Sequence, residues 1–437
     1  MYRLIMLALL VAFLAPLPAA ADTDDLLEIY RQAVNNDPQI RRARAQRDEA
    51  LEARPQARSL LLPSINLFAD YQTGEREDRN TGATGDFSTT AYGVRLSQPL
   101  FDATAFALNS QAGALVARAE AEYTAAQQQL IVRSSEVYFA LLSALDSLEF
   151  AQAEKEAIER QLEQARQRFE VGVIAITGVQ EAQAAYDLAV AREIAAQREV
   201  ISAQENLREL TGVYSETLRP LGDEIPLATP EPANVEEWVQ SALSQNLELQ
   251  AARLGRDAAG SEVNRFRAER LPKVELTASA RRVDSESPQP GLPEEFDEVA
   301  VGVQMTVPLF AGGRINSQVR EASHRAEQAR QTAEQQQRGV ERLTRDAFLG
   351  LQSSASQVRA LRQAVLSNRT ALESVEAGLE AGTRTNVEVL DARRELFRAR
   401  RDYADARYQY VLSSLRLRQA AGTLGPENLA EVNSWLD

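Results

Sequence analysis

Three charged residues stand close together beside a glycine turn near the end of the chain. In the segment EAGTRTNVEVLDA, residues 380–392, Arg384 and Glu388 are four positions apart and Asp391 follows three positions later. Residues at these spacings share one face of a helix and can form ion pairs. Such a cluster can hold two segments together through ion pairs. A simpler interpretation stays open, because an acidic residue near a helix N-terminus is favourable by itself.

The composition argues against an active site. The chain has no Cys and a single His, His324, which lies in the polar helical run EASHRAEQAR. Without Cys there are no disulfides, thiolate nucleophiles or Cys-type metal sites. Carboxylate pairs occur without a phosphate-binding loop, a nucleophile motif or a cluster of metal ligands, so we predict no enzyme activity, no metal and no cofactor. A net charge of −15 argues against nucleic acid as a partner.

The first 21 residues are typical of a secretory signal peptide. Arg3 precedes the apolar stretch LIMLALLVAF, and PLPAAA ends in a small-residue cleavage site after Ala21. The apolar stretch is too short to span a membrane. No Cys follows the cleavage site, so a lipid anchor there is excluded, and we expect the mature chain to begin at Asp22 and to leave the cytoplasm. Beyond it, no segment approaches about 18 continuous apolar residues, which predicts no transmembrane helix.

The rest of the chain is a duplicated unit. The segment AVNNDPQIRRARAQRDEA (33–50) aligns with ALSQNLELQAARLGRDAA (242–259), and LSQPLF aligns with MTVPLF at the same offset of 209 residues. One shared offset over so long a span indicates two copies of one unit. The predicted parts are the signal peptide at 1–21, the first repeat at 22–220, a Pro-rich linker at 221–233, the second repeat at 234–425 and a final segment at 422–437.

Each repeat opens with a helical stretch, about 24–59 and about 234–269, which ends at a Leu-Pro pair. Two segments of alternating polarity follow, at about 63–99 and about 272–308. Alternation with period two predicts a pair of strands in each repeat. In the first strand the residues on the apolar side are Ile65, Leu67, Ala69 and Tyr71.

Two interpretations of these strands are open. They are either ordinary hairpins with one buried face, or membrane strands whose apolar side faces lipid, since about ten tilted residues span a bilayer. Four strands cannot close a barrel and open strand edges are excluded from lipid. A membrane location therefore requires two, three or four copies, with about 8, 12 or 16 strands.

A long helical hairpin completes each repeat, at about 102–212 and about 311–421. No Pro interrupts either one, and apolar residues recur every seven positions, as in a coiled coil. An arm of about 70 residues is roughly 100 Å long. The arms turn back at Gly172 and Gly382, where Gly is the usual stop signal, and the Thr residues that follow suit the cap of the returning helix. The helices alone also suit a fibrous tether.

The motifs LPSINLFADY, LSQPLF, VGVIAITGVQEAQAAYD and AGTRTNVEVLDA, in this order, resemble the TolC-type outer-membrane efflux and secretion channel proteins. The resemblance covers essentially the whole mature chain. It implies a mostly α fold with a membrane β-barrel, in which four strands per chain complete a trimeric barrel of about 12 strands. The barrel would continue into a long α-helical coiled-coil barrel, with helix breaks and the segment 422–437 forming a belt around its middle.

This resemblance implies location in the outer membrane of a Gram-negative bacterium, with most of the chain in the periplasm. The function would be that of a passive exit duct for small molecules or polypeptides. Its partners would be two further copies of the chain, outer-membrane lipid, a periplasmic adaptor (membrane fusion) protein, and an inner-membrane pump or ABC exporter. The alternative function is that of a soluble periplasmic coiled-coil scaffold, which would be extracted without detergent.

The resemblance also assigns residues to a gated periplasmic mouth. It implies that Arg384, Glu388 and Asp391 hold the mouth closed and select cations, because three copies of the acidic face would converge on one axis. Relatives carry Tyr where this chain has Leu379 and Asp where it has Gly178, so we expect a gate that opens more readily. The expected adaptor-docking tips are Val171, Gly172, Val173, Ala381, Gly382 and Thr383.

Overall fold

A computed structural model describes residues 24–77, 82, 84–215, 217–222, 224–286 and 295–437. The predicted signal peptide lies outside these residues. The first repeat contains α1 (Leu26–Asn36), α2 (Pro38–Leu51), α3 (Ala53–Ser59), β1 (Ser64–Glu77), β2 (Thr84–Asp102), α4 (Ala103–Glu170) and α5 (Ile176–Thr211). The second repeat contains α6 (Val235–Gln245), α7 (Leu247–Ala268), β3 (Lys273–Glu286), β4 (Glu295–Thr306), α8 (Arg314–Glu380) and α9 (Asn386–Ala421), and α10 (Pro426–Asn433) follows.

The opening helical stretch of each repeat is broken at an equivalent position. Asp37 caps α2 by accepting hydrogen bonds from two backbone N–H groups, and Pro38 occupies the first turn of that helix. Asn246 caps α7 in the same way, by accepting from the N–H of Leu249. Both residue types suit an N-cap, and Pro suits the first helical turn because its missing N–H would have no partner there.

The four strands form one antiparallel sheet in the order β1-β2-β3-β4. In its register Leu67 lies opposite Val94, Val94 opposite Ala280, and Ala280 opposite Val299. Alternate residues point to the same face, so the apolar sides of all four strands merge into one surface. That surface is uncovered in the single chain, where Leu67 is 82% exposed. The sheet thus presents a broad apolar face that needs an apolar surrounding.

The second strand is longer than the polarity pattern indicates. β2 continues past Pro99 to Asp102, and its register with β3 shifts between Pro99 and Phe101. Pro has no N–H to donate to a ladder, and a bulge of this kind lets a strand accommodate it.

A hydrophobic core lies where the middle of α4 meets α9. The ring of Phe139 stacks on that of Tyr408 with centroids 5.5 Å apart. Tyr138 is fully buried beside them, and its hydroxyl donates to the carbonyl of Arg219 at 2.7 Å. The same cluster takes in Leu26 and Ile29 of α1 and Leu429 and Val432 of α10. This core fixes the two hairpins to each other at one level, and their turns lie far from it.

α4 and α8 have 68 and 67 residues, so each is roughly 100 Å long. Among the described helices, none combines the length and apolar character that crossing a membrane requires.

Candidate functional site: the two hairpin turns

The two hairpins reverse direction through the same backbone structure. In the first turn, Gly172 has φ 76° and the N–H of Val173 donates to the carbonyl of Arg168 at 2.8 Å. In the second, Gly382 has φ 73° and the N–H of Thr383 donates to the carbonyl of Gly378 at 2.8 Å. This bond pattern closes a helix with a left-handed residue just after the cap.

Both tips are uncovered. A Cβ at either turn glycine would meet nothing within 4 Å, so the positive φ, and not crowding, explains the choice of Gly. Val171 is 74% and Val173 70% exposed. The corresponding Ala381 and Thr383 are also exposed. The predicted docking residues therefore form two accessible tips, one apolar and one more polar.

The structure brings Arg384 and Glu388 together. Nη1 of Arg384 lies 2.6 Å from Oε1 of Glu388. The other carboxylate oxygen accepts from the backbone N–H of Thr385 at 2.7 Å and from its hydroxyl at 3.0 Å. Thr385 is the N-cap of α9, and its hydroxyl accepts from the N–H of Glu388, which completes a capping box. Arg384 consequently precedes the helix, so the prediction that it shares a helix face with both acids was wrong.

These contacts stabilise the ionised form of Glu388. The backbone N–H of Thr385, the guanidinium of Arg384 and the hydroxyl of Thr385 lower the pKa of Glu388 from its ordinary value of 4.5 to about 2. The carboxylate is therefore charged at any physiological pH.

Asp391 is separated from this pair. Its carboxylate forms an ion pair with Arg394, one turn further along α9, and its side chain is 58% exposed. The predicted three-residue cluster is thus two ion pairs in succession, Arg384 with Glu388 and Asp391 with Arg394. The (i, i+3) spacing of Asp391 and Arg394 was visible in the sequence and could have identified the second pair.

Gly378 is a further residue of the site that sequence reasoning missed. It lies on the last turn of α8, under the side chain of Arg384. A Cβ at this position would lie 2.5 Å from Cγ of Arg384. Gly378 therefore leaves the space in which the stem of Arg384 lies.

The first turn lacks these charges. At the 210-residue offset of the two turns, Ile174, Ala175 and Gly178 correspond to Arg384, Thr385 and Glu388. Ala175 is the N-cap of α5 and offers no side-chain hydrogen bond. The expectation of a Thr cap was therefore correct for Thr385 and wrong for the first repeat.

The two altered gate positions lie on opposite hairpins. Gly178 is in the first turn of α5, where a Cβ would lie 3.4 Å from Cδ1 of Ile174. Leu379 is half-buried on the last turn of α8, and its carbonyl accepts from the N–H of Gly382 at 3.1 Å. Gly178 has no side chain and that of Leu379 is a hydrocarbon, so neither position can form a side-chain hydrogen bond. Over the part of the chain that the structure describes, no group of His, Cys, Asp or Glu residues could hold a metal ion.

A sheet with an uncovered apolar face, followed by two helical hairpins roughly 100 Å long, defines a subunit of an outer-membrane channel. Comparison with known proteins agrees. The profile of the outer membrane efflux protein family matches residues 29–213 and 238–423, once for each repeat. The chain is 38% identical to the outer membrane protein TolC of Vibrio cholerae over 427 residues, and this alignment covers 97% of each chain.

It is also 32% identical to the alkaline protease secretion protein AprF of Pseudomonas aeruginosa, over 98% of this chain and 91% of that protein. Among solved structures, the CmeC outer membrane channel of Campylobacter jejuni matches with a TM-score of 0.80 at 17% identity, over 95% of this chain and 90% of that one. At this low identity, the similarity to CmeC shows a shared fold alone.

The chain belongs to the outer membrane efflux protein family. This confirms the mostly α fold class, in which duplicated units contribute strands to a membrane β-barrel and hairpins to an α-helical barrel. The protein resides in the outer membrane and serves as an exit duct for efflux and secretion. The alternative of a soluble periplasmic scaffold is not favoured. The members of this family are transport conduits.

Proposed function

We propose that this chain forms a homotrimeric duct whose periplasmic mouth is gated by Arg384, Glu388 and Asp391, and whose hairpin tips dock a periplasmic adaptor. The adaptor would connect the duct to an inner-membrane pump or ABC exporter, which supplies the energy. Conduction through the duct itself is passive. The observation that carries the proposal is the ion pair between Arg384 and Glu388, which only one of the two turns possesses.

The open edges of the sheet support the trimer. β1 and β4 each have one neighbour in the described sheet, and an unpaired edge in lipid leaves backbone N–H and C=O groups without partners. Closure with two further copies removes these edges. The same operation brings three second-repeat turns around one axis.

The charges of the second turn support selection for cations. Glu388 is held ionised by its capping contacts, and Asp391 is mostly exposed with a single arginine partner on its own helix. Carboxylates of three copies in a narrow opening would attract cations and repel anions. Arg384 would oppose this when it points inward, and it would link copies when it leaves Glu388 for an acidic group of a neighbour.

We infer that this gate opens readily. The partner that the described residues show for Arg384 is Glu388, on its own turn. Leu379 and Gly178, where relatives carry Tyr and Asp, add no hydrogen bond. The closed state then depends on fewer links between chains.

The cargo class follows from the relatives. AprF is named for the secretion of alkaline protease, a polypeptide, and the matching family is named for efflux. We propose that the duct conducts both small molecules and polypeptides, according to the pump that engages it.

Conductance of the purified trimer in a planar bilayer tests the mouth. Arg384→Ala should raise the open fraction, and Leu379→Tyr combined with Gly178→Asp should lower it. Arg369→Ala is the matched control, because Arg369 forms an exposed ion pair with Glu373 within α8, well before the turn. Identical open fractions in the wild type and in these three variants would rule out the proposed gate. Cation selectivity should fall in Asp391→Asn.

Cross-linking tests the docking tips. The chain has no Cys, so Val173→Cys and Thr383→Cys introduce unique attachment points for a photoreactive cross-linker. We expect both positions to capture a periplasmic adaptor from cells. A Cys introduced at Leu349, which is exposed in the middle of α8, should capture none. Equal capture at all three positions would contradict docking at the tips.

A further inference from the structure

We propose that Arg393 is a clasp that holds the second hairpin against the first just inside the mouth, and that its release frees the gating turn. This inference rests on the proposed gate and names the contact that restrains it. The clasp consists of Arg393 and Glu376 on the second hairpin and the carbonyl of Ala157 on the first.

The guanidinium of Arg393 has two partners on two other helices. Nη2 lies 2.5 Å from Oε1 of Glu376 on α8, and Nη1 donates to the carbonyl oxygen of Ala157 on α4 at 3.3 Å. The side chain of Arg393 is 21% exposed and that of Glu376 is 39% exposed. A planar guanidinium can serve two acceptors at fixed angles. Glu376 therefore holds the guanidinium of Arg393 in a position from which it reaches the neighbouring hairpin.

The equivalent pair in the first repeat lacks the second contact. Arg166 and Gln183 correspond to Glu376 and Arg393 at the 210-residue offset, and Nη2 of Arg166 donates to Oε1 of Gln183 at 2.9 Å. This bond is exposed and joins α4 to α5 within one hairpin. Each hairpin thus has a polar cross-link at the same height. Among the described contacts, only the second one continues to the other hairpin.

An apolar contact adjoins the clasp. Leu390, one turn nearer the mouth on α9, is buried against Ile158 of α4 and Ala189 of α5. The small side chains of Ala157 and Ala189 let the helices approach closely, which brings the carbonyl of Ala157 within reach. Beyond Leu390 toward the turn lie Glu388 and Arg384, whose side chains contact only their own turn in the described structure.

A contact at this point controls how freely the turn moves. The gating turn leads into α9, and among the described residues Arg393 and Leu390 are contacts of that helix with the first hairpin close to the turn. Loss of a hydrogen bond to a charged group shifts a two-state equilibrium by about ten-fold or more. We therefore expect loss of the clasp to raise the ratio of open to closed mouth by about ten-fold.

The test compares Arg393→Gln with Arg166→Gln in planar-bilayer recordings of the intact trimer. Both changes remove one arginine from the same height of a hairpin, but only the first breaks a contact between hairpins. We expect Arg393→Gln to raise the open ratio and Arg166→Gln to leave it near that of the wild type. Arg393→Lys should give an open ratio between those of these two variants. Its ammonium group can still pair with Glu376, but it lacks the planar set of donors with which the guanidinium reaches both acceptors.

Hydrogen exchange separates a clasp from a general loss of stability. In Arg393→Gln, the amides of residues 386–392 should exchange faster, while those around Tyr138 in the central core and the melting temperature of the trimer stay unchanged. If Arg384→Ala opens the channel while Arg393→Gln matches Arg166→Gln in conductance and exchange, the clasp is overturned and the gate stands. If neither Arg384→Ala nor Arg393→Gln changes conductance, both proposals fail.

Discussion

Nη1 of Arg384 lies 2.6 Å from Oε1 of Glu388, across the first turn of α9. The equivalent positions in the first repeat hold Ile174 and Gly178, on a turn with the same left-handed glycine and the equivalent closing hydrogen bond from Val173 to Arg168. The backbone of the turn therefore does not require the charges. Their presence in one repeat alone associates them with what the second turn does in the assembled duct.

Acidification should leave Glu388 ionised well below its ordinary pKa of 4.5. Because the folded-state pKa is lowered to about 2, its stabilising contribution is present above the unfolded pKa and is lost only as pH falls toward 2. We expect the difference in melting temperature between wild type and Glu388→Gln to be constant from about pH 8 to about pH 5, and to shrink below. A difference that already shrinks near pH 6 would indicate that carboxylates of neighbouring copies converge and raise the pKa.

The capping box should stabilise the start of α9 by about 1 kcal/mol. Thr385→Ala removes the side chain that accepts from the N–H of Glu388, so the amides of the first turn should exchange faster. Ala175→Thr is the reciprocal change, since Ala175 already has the extended conformation of an N-cap, with φ −78° and ψ 156°. It should slow exchange at the start of α5. The amide exchange rates should change in opposite directions at the two turns. A change in the same direction at both would contradict the role of the cap.

Gly378→Ala should displace Arg384. The added Cβ would lie 2.5 Å from Cγ of Arg384, near the root of that side chain, so the ion pair with Glu388 should weaken and the open fraction of the channel should rise. Gly339→Ala on the same helix is the control, because a Cβ there meets nothing within 4 Å. It should gain up to about 1 kcal/mol of helix stability. Equal conductance of the two variants would argue against any role for the space at Gly378.

Adjacent positions on β1 should respond oppositely to a charge. Leu67 lies on the continuous apolar face of the sheet and Asn66 on the other face. In a membrane barrel Leu67→Arg should cost about 2–4 kcal/mol near the bilayer centre, whereas Asn66→Arg faces water in the lumen. The measurement is the yield of trimer that remains intact in detergent before heating. Similar yields for the two variants would mean that lipid does not cover the apolar face.

Gly93 should be essential for pairing of the two repeats in the sheet. A Cβ on Gly93 would lie 2.4 Å from the carbonyl oxygen of Ala280 and 2.7 Å from Cα of Arg281, both backbone atoms of β3. Gly93→Ala should therefore disturb the β2–β3 register and lower the trimer yield severely. Gly302→Ala on β4 meets only the hydroxyl of Thr277 at 3.8 Å and should assemble normally. Normal assembly of Gly93→Ala would show that β2 and β3 separate at this point in the barrel.

Local patterns were enough to predict most of the fold. Alternation of polar and apolar residues indicated the strands, seven-residue periodicity indicated the hairpins, and the turn glycines Gly172 and Gly382 marked where they reverse. Each signal depends on neighbours a few residues apart, which the sequence shows directly. The pair of Arg384 with Glu388 was predictable for the same reason. Arg384 was wrongly assigned to the same helix face as the two acids, because Thr385 caps α9 and Arg384 therefore precedes the helix.

Other features depended on residues far apart in the sequence. In the sequence, Arg393 and Arg394 are adjacent arginines in an arginine-rich helix, and no local pattern distinguishes one from the other. Only the packing of α9 against α4 distinguishes them, since Arg394 pairs within its own helix and Arg393 reaches Glu376 and the carbonyl of Ala157. Ala157 is 236 positions away, and no periodicity links positions so distant. The sequence determined which segments form the duct, and the tertiary structure decided which side chains join them.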